Sequence, residues 1–109
     1  MTKDDAYGIF EKMSTEIYAL LTTKGDAYSC DEDVLQNFKN AAANLDMKPF
    51  QIWAVYFGKH VSSIFKAISD NPHYPIDKSE GFKSRLLDAA AYLYLAACLH
   101  AEIENQPDK

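Results

Sequence analysis

Cationic, acidic and amide side chains interrupt the apolar helical segments of this chain at four places. These are Lys24-Gly25-Asp26-Ala27-Tyr28, Asn37-Phe38, Lys59-His60, and Arg85-Leu86-Leu87-Asp88 with Tyr92 one turn on. A small protein has few places to bury charge, and each buried charge needs a partner or a ligand. Polar groups that recur where apolar faces should continue therefore predict a site between helices. A phosphate-bearing ligand suits the set best. The planar fork of Arg85 matches phosphate oxygens, Lys24 and Lys59 add point charges, and Tyr28 offers a face on which any base can stack. Asp26 and Asp88 would serve a metal ion.

Each of these residues also has an explanation without a ligand. Lys24 complements the negative end of a first helix, and Asp26 in a turn satisfies its own backbone. Asn37 stands beside an apolar stripe, where it is either solvated or bonded to a ligand. Lys59 can snorkel from an apolar face to water. His60 has no His-x-x-x-His or Cys partner, so it reads as a hydrogen-bonded core histidine sooner than as a zinc ligand. Arg85 and Asp88, three apart on one helix face, can pair with each other.

Composition limits the alternatives. The chain has 109 residues, 48% of them hydrophobic and 25% charged, which is ordinary for one folded domain. Its net charge of -5 comes without any Lys/Arg-rich run. A broad positive field is missing, so a nucleic acid polymer is not an expected partner, whereas a small anion in a local basic pocket is. No stretch reaches the length of uncharged apolar sequence that spans a bilayer, and Met1-Thr2-Lys3-Asp4-Asp5 is not a signal peptide. No membrane partner is therefore expected. Cys30 and Cys98 are far apart and read as reduced thiols in a cytoplasm, with Cys98 a small core residue.

The elements that must position these residues are helical throughout. Apolar positions Phe10, Met13, Ile17, Leu20 and Leu21 keep the spacing of one helix face, Thr2 and Asp5 can cap it, and Gly25 should end it. A second helix is expected from Asp31, with a stripe of Val34, Phe38, Ala41 or Ala42, and Leu45. Pro49 opens a third, whose apolar residues from Ile52 to Ile68 cover more than one face. After a loop with Pro72 and Pro75, the capping-box spacing of Asp77-Lys78-Ser79-Glu80 precedes a fourth helix. Its stripe is Phe82, Leu86, Ala89, Ala90, Leu93, Ala97 and Ile103. The predicted fold is all-α, an antiparallel bundle of four main helices near 7–23, 31–45, 49–69 and 80–104. The width of the third helix, with Trp53, Tyr56, Phe57 and Phe65, predicts a homo-oligomer built on it, most simply a dimer.

The order Lys-x-Asp-x-Tyr, Asn-Phe, Lys-His and Asp88-x-x-x-Tyr92-Leu93 resembles small phage-borne helical proteins grouped as nucleotide-modification-associated domains. Those are similar to the all-α nucleoside triphosphate pyrophosphohydrolases, the MazG-like proteins. The resemblance covers roughly residues 9–99. It implies a helical, often oligomeric protein that binds a nucleotide, in the host cytoplasm if phage-encoded. In the enzymes it further implies magnesium held by carboxylates from two helices. This chain departs from the enzymes' Glu-x-x-Glu and Glu-x-x-Asp pairs: Arg85 stands where the second pair has its glutamate, and no carboxylate occurs from Pro49 to Ile68.

Three classes of function follow. A magnesium-dependent pyrophosphohydrolase would use Asp88 and Asp26 in catalysis and Glu16, Asp26 and Asp88 on the metal. A nucleotide-binding protein without turnover, one that sequesters a nucleotide signal for example, would use Lys24, Tyr28, Asn37, Lys59, His60, Arg85 and Tyr92 and no metal. A helical oligomerisation or adaptor protein would need none of these as ligands. The shortage of carboxylates favours binding over hydrolysis, since triphosphate cleavage needs a metal to neutralise developing charge.

Overall fold

A computed structural model describes residues 1–28, 33–78 and 81–106, the side chains of 23–28 standing outside that description. It contains four helices: α1 (Lys3–Tyr28), α2 (Gln36–Leu45), α3 (Pro49–Asp70) and α4 (Phe82–Glu104). Among the described residues there is no strand. The all-helical reading and the count of four hold.

Local chemistry explains most of the boundaries and corrects two of them. Thr2 and Asp5 cap α1 reciprocally. The Asp5 N–H donates to Thr2 Oγ1 at 3.1 Å, and the Thr2 N–H donates to Asp5 Oδ2 at 3.4 Å. The predicted stop at Gly25 is not observed, because α1 runs through it to Tyr28. A helical glycine costs only about 1 kcal/mol relative to alanine, which a long helix absorbs. The predicted start of the second helix at Asp31 falls outside the described residues, and α2 begins at Gln36. Asp33 leads into it, its carboxylate accepting the Leu35 N–H at 2.9 Å and its carbonyl the Gln36 N–H at 3.1 Å. That turn puts Leu35 into the core and leaves Val34 60% exposed, and Leu45 at the other end is 62% exposed, so the predicted α2 stripe is wrong at its first and last positions.

Asp46 ends α2 in the left-handed conformation, φ 54°, a place more often held by glycine or asparagine. Lys48 donates its N–H to the Gln51 side chain at 2.8 Å, and Pro49 opens α3. Of the predicted capping box before α4, Ser79 and Glu80 lie outside the described residues. The residue in the cap position is Gly81, whose φ of +86° glycine accepts without strain.

α3 packs on α4, α2 on α3, and α1 on α4. Trp53 meets Tyr92, while Ser63 and Ala67 line a cleft with Arg85, so α3 and α4 run antiparallel. The core lies where α2, α3 and α4 join, with Leu35, Phe38, Ala42, Ile52 and Leu99 buried together. Lys39 reaches from α2 to both Asp33 and Glu102, the latter at 2.8 Å, and ties α2 to the end of α4.

This is a thin core. Only eight described apolar side chains are buried, three of them alanines. The Cα radius of gyration is 16.1 Å, against ~13 Å for a compact chain of this length. The accessible surface is 8108 Å², where a monomer of this mass should expose ~6,100 Å². Every residue from Met1 to Lys12 is exposed, Tyr7 and Phe10 included. α4 is long and apolar enough to cross a membrane by length and composition, yet only 17% of its most apolar window is buried. A helix packed by α1 and α3 has the same composition, so length and apolarity alone assign it no location.

Candidate functional site

Residues singled out on three helices meet beside the core. Phe38 of α2 is buried, its ring centroid 6.2 Å from Tyr56 of α3 and 6.3 Å from Tyr92 of α4. His60 lies against Tyr92 with centroids 4.7 Å apart. Tyr56, Lys59 and His60 share one side of α3 because three- and four-residue steps keep a helix face. Lys59 accordingly places its Nζ 5.9 Å from the centroid of the Tyr56 ring. Asn37 and Lys59 are exposed, Tyr56 is 37% exposed, and His60 and Tyr92 are half-buried. The group thus has an apolar floor and a polar, solvent-facing rim.

Two features of this junction have chemical consequences. Lys59 over Tyr56 makes an exposed cation–π pair, a weak contact that a phosphate can readily draw away. His60 Nδ1 is shielded from water and has no hydrogen-bond partner among the described residues. An orphaned polar atom costs about 1–3 kcal/mol, so the position carries a standing penalty that core packing does not explain. Behind the junction, Trp53 stacks on Phe57 with centroids 4.8 Å apart and 11° between planes. Its Nε1–H donates to the Tyr92 carbonyl at 2.7 Å.

The structure puts Arg85 elsewhere. It is seven residues from Tyr92, two helical turns or ~10 Å along α4. Its Nε donates to Asp77 Oδ2 at 2.6 Å, with side chains 19% and 11% exposed. The pair borders a cleft of about 630 Å³ between the end of α3, the following loop and the start of α4, with Lys66, Asp70, Asn71 and Lys78 also on its walls. Lys66 is paired there with Asp70 at 2.7 Å. The lining of this cleft does not include Lys59, His60 or Tyr92. Arg85 pins the loop to α4, and the carboxylates beside it balance much of the cleft's positive charge.

Of the carboxylates read as metal ligands, Glu16 faces Lys83, whose Nζ lies 3.3 Å from its Oε1, and this contact joins α1 to the first turn of α4. Asp88 is half-buried one turn before Tyr92. The side chains of Lys24, Asp26 and Tyr28 lie outside the description. Among the described residues no three of His, Cys, Asp and Glu gather in a group that could hold a metal ion. The donor set described therefore offers a hard cation Asp88 without the facing carboxylates that such a cage requires.

Sequence reasoning missed Tyr56, whose place under Lys59 follows from their three-residue spacing. It also missed Asp77, whose partner lies eight residues on across a loop, beyond any local rule. Compared with known families, curated proteins and solved structures, the chain matches no family model, no relative and no solved structure.

Proposed function

We propose that this protein binds a nucleotide at the junction of α2, α3 and α4, and that binding rather than turnover is its function. The observation that carries the reading is the meeting of Phe38, Tyr56, Lys59, His60 and Tyr92 from three separate helices, with His60 Nδ1 buried and without a hydrogen-bond partner among the described residues. A base stacks on the open face of Tyr56, sequence-tolerantly and with about 1–3 kcal/mol per ring. Lys59 leaves the tyrosine ring for a phosphate, and Asn37 on the rim donates or accepts at the base or sugar. A ligand that shifts the His60 ring relieves its orphaned nitrogen.

The resemblance to nucleotide-modification-associated domains supports the same ligand class, since Phe38, Lys59, His60 and Tyr92 of its motifs lie near one another. Engagement of Glu16 by Lys83 favours binding over magnesium-dependent hydrolysis. The test is a screen of purified protein against linear and cyclic nucleotides, with and without magnesium, reading melting-temperature shift and released product. A shift without product, lost in Lys59→Ala and retained in Lys3→Ala, is the expected result. Product formation that needs magnesium and Asp88 would replace this reading with the hydrolytic one, and no shift with any nucleotide would remove both.

A further inference from the structure

Part of the apolar stripe of α4 that the sequence assigns to the core faces solvent, and Ala101, outside that stripe, continues it. Leu86 is 39% exposed and Leu93 55%, Ala97 and Ala101 are exposed, and Phe82 and Ala90 are half-buried. These six positions follow one another at steps of four, four, three, four and four residues, so they keep to one side of the helix while drifting by about 100° around it from end to end. The order of steps is the same read from either end. The order of sizes is instead complementary to its own reversal: an antiparallel copy centred between Ala90 and Leu93 sets Phe82 against the partner's Ala101. It also sets Leu86 against the partner's Ala97, and Leu93 against the partner's Ala90. Every large side chain then meets an alanine, which is how facing layers interdigitate without voids.

We infer that this seam is a two-fold interface with a second copy of the same chain, α4 against α4. A two-fold interface must be self-complementary, each residue meeting another of the same patch, and this stripe satisfies that condition in size and in spacing. The chain exposes roughly 2,000 Å² beyond a monomer of its mass, part of it along Met1 to Lys12, and a standard interface covers about 800 Å² per partner. A lipid surface would not select an order of sizes that complements its own reversal. The assembly is independent of nucleotide binding, because the seam and the junction lie on different faces of α4. It also moves the expected dimer contact from α3, where Trp53 and Phe57 already pack within the chain, to α4.

The test measures mass by light scattering across micromolar concentrations, with circular dichroism to confirm helicity. The parent should be a dimer, Leu93→Glu a helical monomer, and Phe65→Glu, on the exposed face of α3, a dimer. Ala97→Leu sets leucine against leucine at two symmetric places and should weaken association by at least about tenfold. Adding Leu86→Ala restores the large–small pairing and should recover the parental affinity, a result that mere misfolding cannot give. A monomeric parent would overturn the inference, as would a dimer that survives Leu93→Glu, a double variant no better than Ala97→Leu, or a parent that partitions into lipid vesicles as a monomer.

Discussion

The indole Nε1–H of Trp53 donates to the main-chain carbonyl of Tyr92 at 2.7 Å, fastening the start of α3 to the middle of α4. A helical carbonyl has a second lone pair, so it can take the indole while keeping its own helix bond. The contact fixes the two helices at the level where His60 and Phe38 approach Tyr92. Trp53→Phe keeps a ring beside Phe57 and removes the donor together with part of the indole's volume. It should cost at least about 0.5–1.5 kcal/mol for the bond with a packing loss added, a fall of several degrees in thermal midpoint at about 4–8 °C per kcal/mol. An unchanged midpoint by circular dichroism would show that the bond is incidental to the packing.

Lys39 gives the stability a defined pH dependence. Its hydrogen bond to Asp33 holds that carboxyl below its ordinary 3.8, and the Leu35 N–H adds to the effect. The same bond, then the one to Glu102, raises the Lys39 ammonium above 10.5. The lowered carboxyl contributes stability in full above pH 3.8 and loses it as pH falls through the folded-state value. The raised ammonium contributes in full below pH 10.5 and loses it as pH rises through its own. Both side chains are about a third exposed, so screening keeps the contribution within about 1 kcal/mol. Thermal melts of the parent and Lys39→Met should therefore differ by a constant amount between pH 5 and pH 10 and converge below pH 3.8. A difference that persists at pH 2 would mean that Lys39 acts through packing of its stem.

Arg85 and Asp77 should behave as a structural clasp and not as a ligand site. Removing the guanidinium takes one charged partner from a mostly buried carboxylate, the asymmetric case in which loss is large. Arg85→Ala should destabilise the fold by about 2–4 kcal/mol. It should leave nucleotide affinity, measured below the new midpoint, near the parental value. Loss of affinity without loss of stability would relocate the phosphate contact to the Arg85 cleft.

The fold was legible where local chemistry decides it. The Thr2–Asp5 cap, Pro49 at the head of α3 and the proline-containing loop each act within a few residues, and the four helices follow from them. Gly25 misled because its cost is small beside the length of α1. Val34 misled because helical spacing was counted through a turn that Asp33 creates. The site was half legible. Asn37-Phe38, Lys59-His60 and Tyr92 announced themselves as polar breaks in apolar faces, but Arg85, two helical turns before Tyr92, is held by Asp77 across a loop, a pairing that no local spacing gives. The α4 stripe shows the deeper limit. Periodicity reports that a face is apolar and is silent on whether its own chain or another one covers it.

His60 separates stability from function most sharply. Its Nδ1 is shielded from water without a partner, so a phenyl ring in its place removes a penalty of about 1–3 kcal/mol and keeps a ring against Tyr92. The exposed edge of the site leaves room for the slightly larger side chain, His60 being only half-buried. His60→Phe should thus melt at or above the parental temperature while nucleotide binding falls by about tenfold or more, the loss of one good polar contact. Such a pairing of gained stability with lost affinity is the mark of a residue kept for a ligand. A histidine kept for packing would give the opposite pattern, a lower midpoint with affinity intact. Titration calorimetry with a nucleotide that shifts the parent's melt, run beside thermal melts of both proteins, distinguishes the two. If His60→Phe melts lower and binds as well as the parent, the junction of α2, α3 and α4 is core and not a binding site.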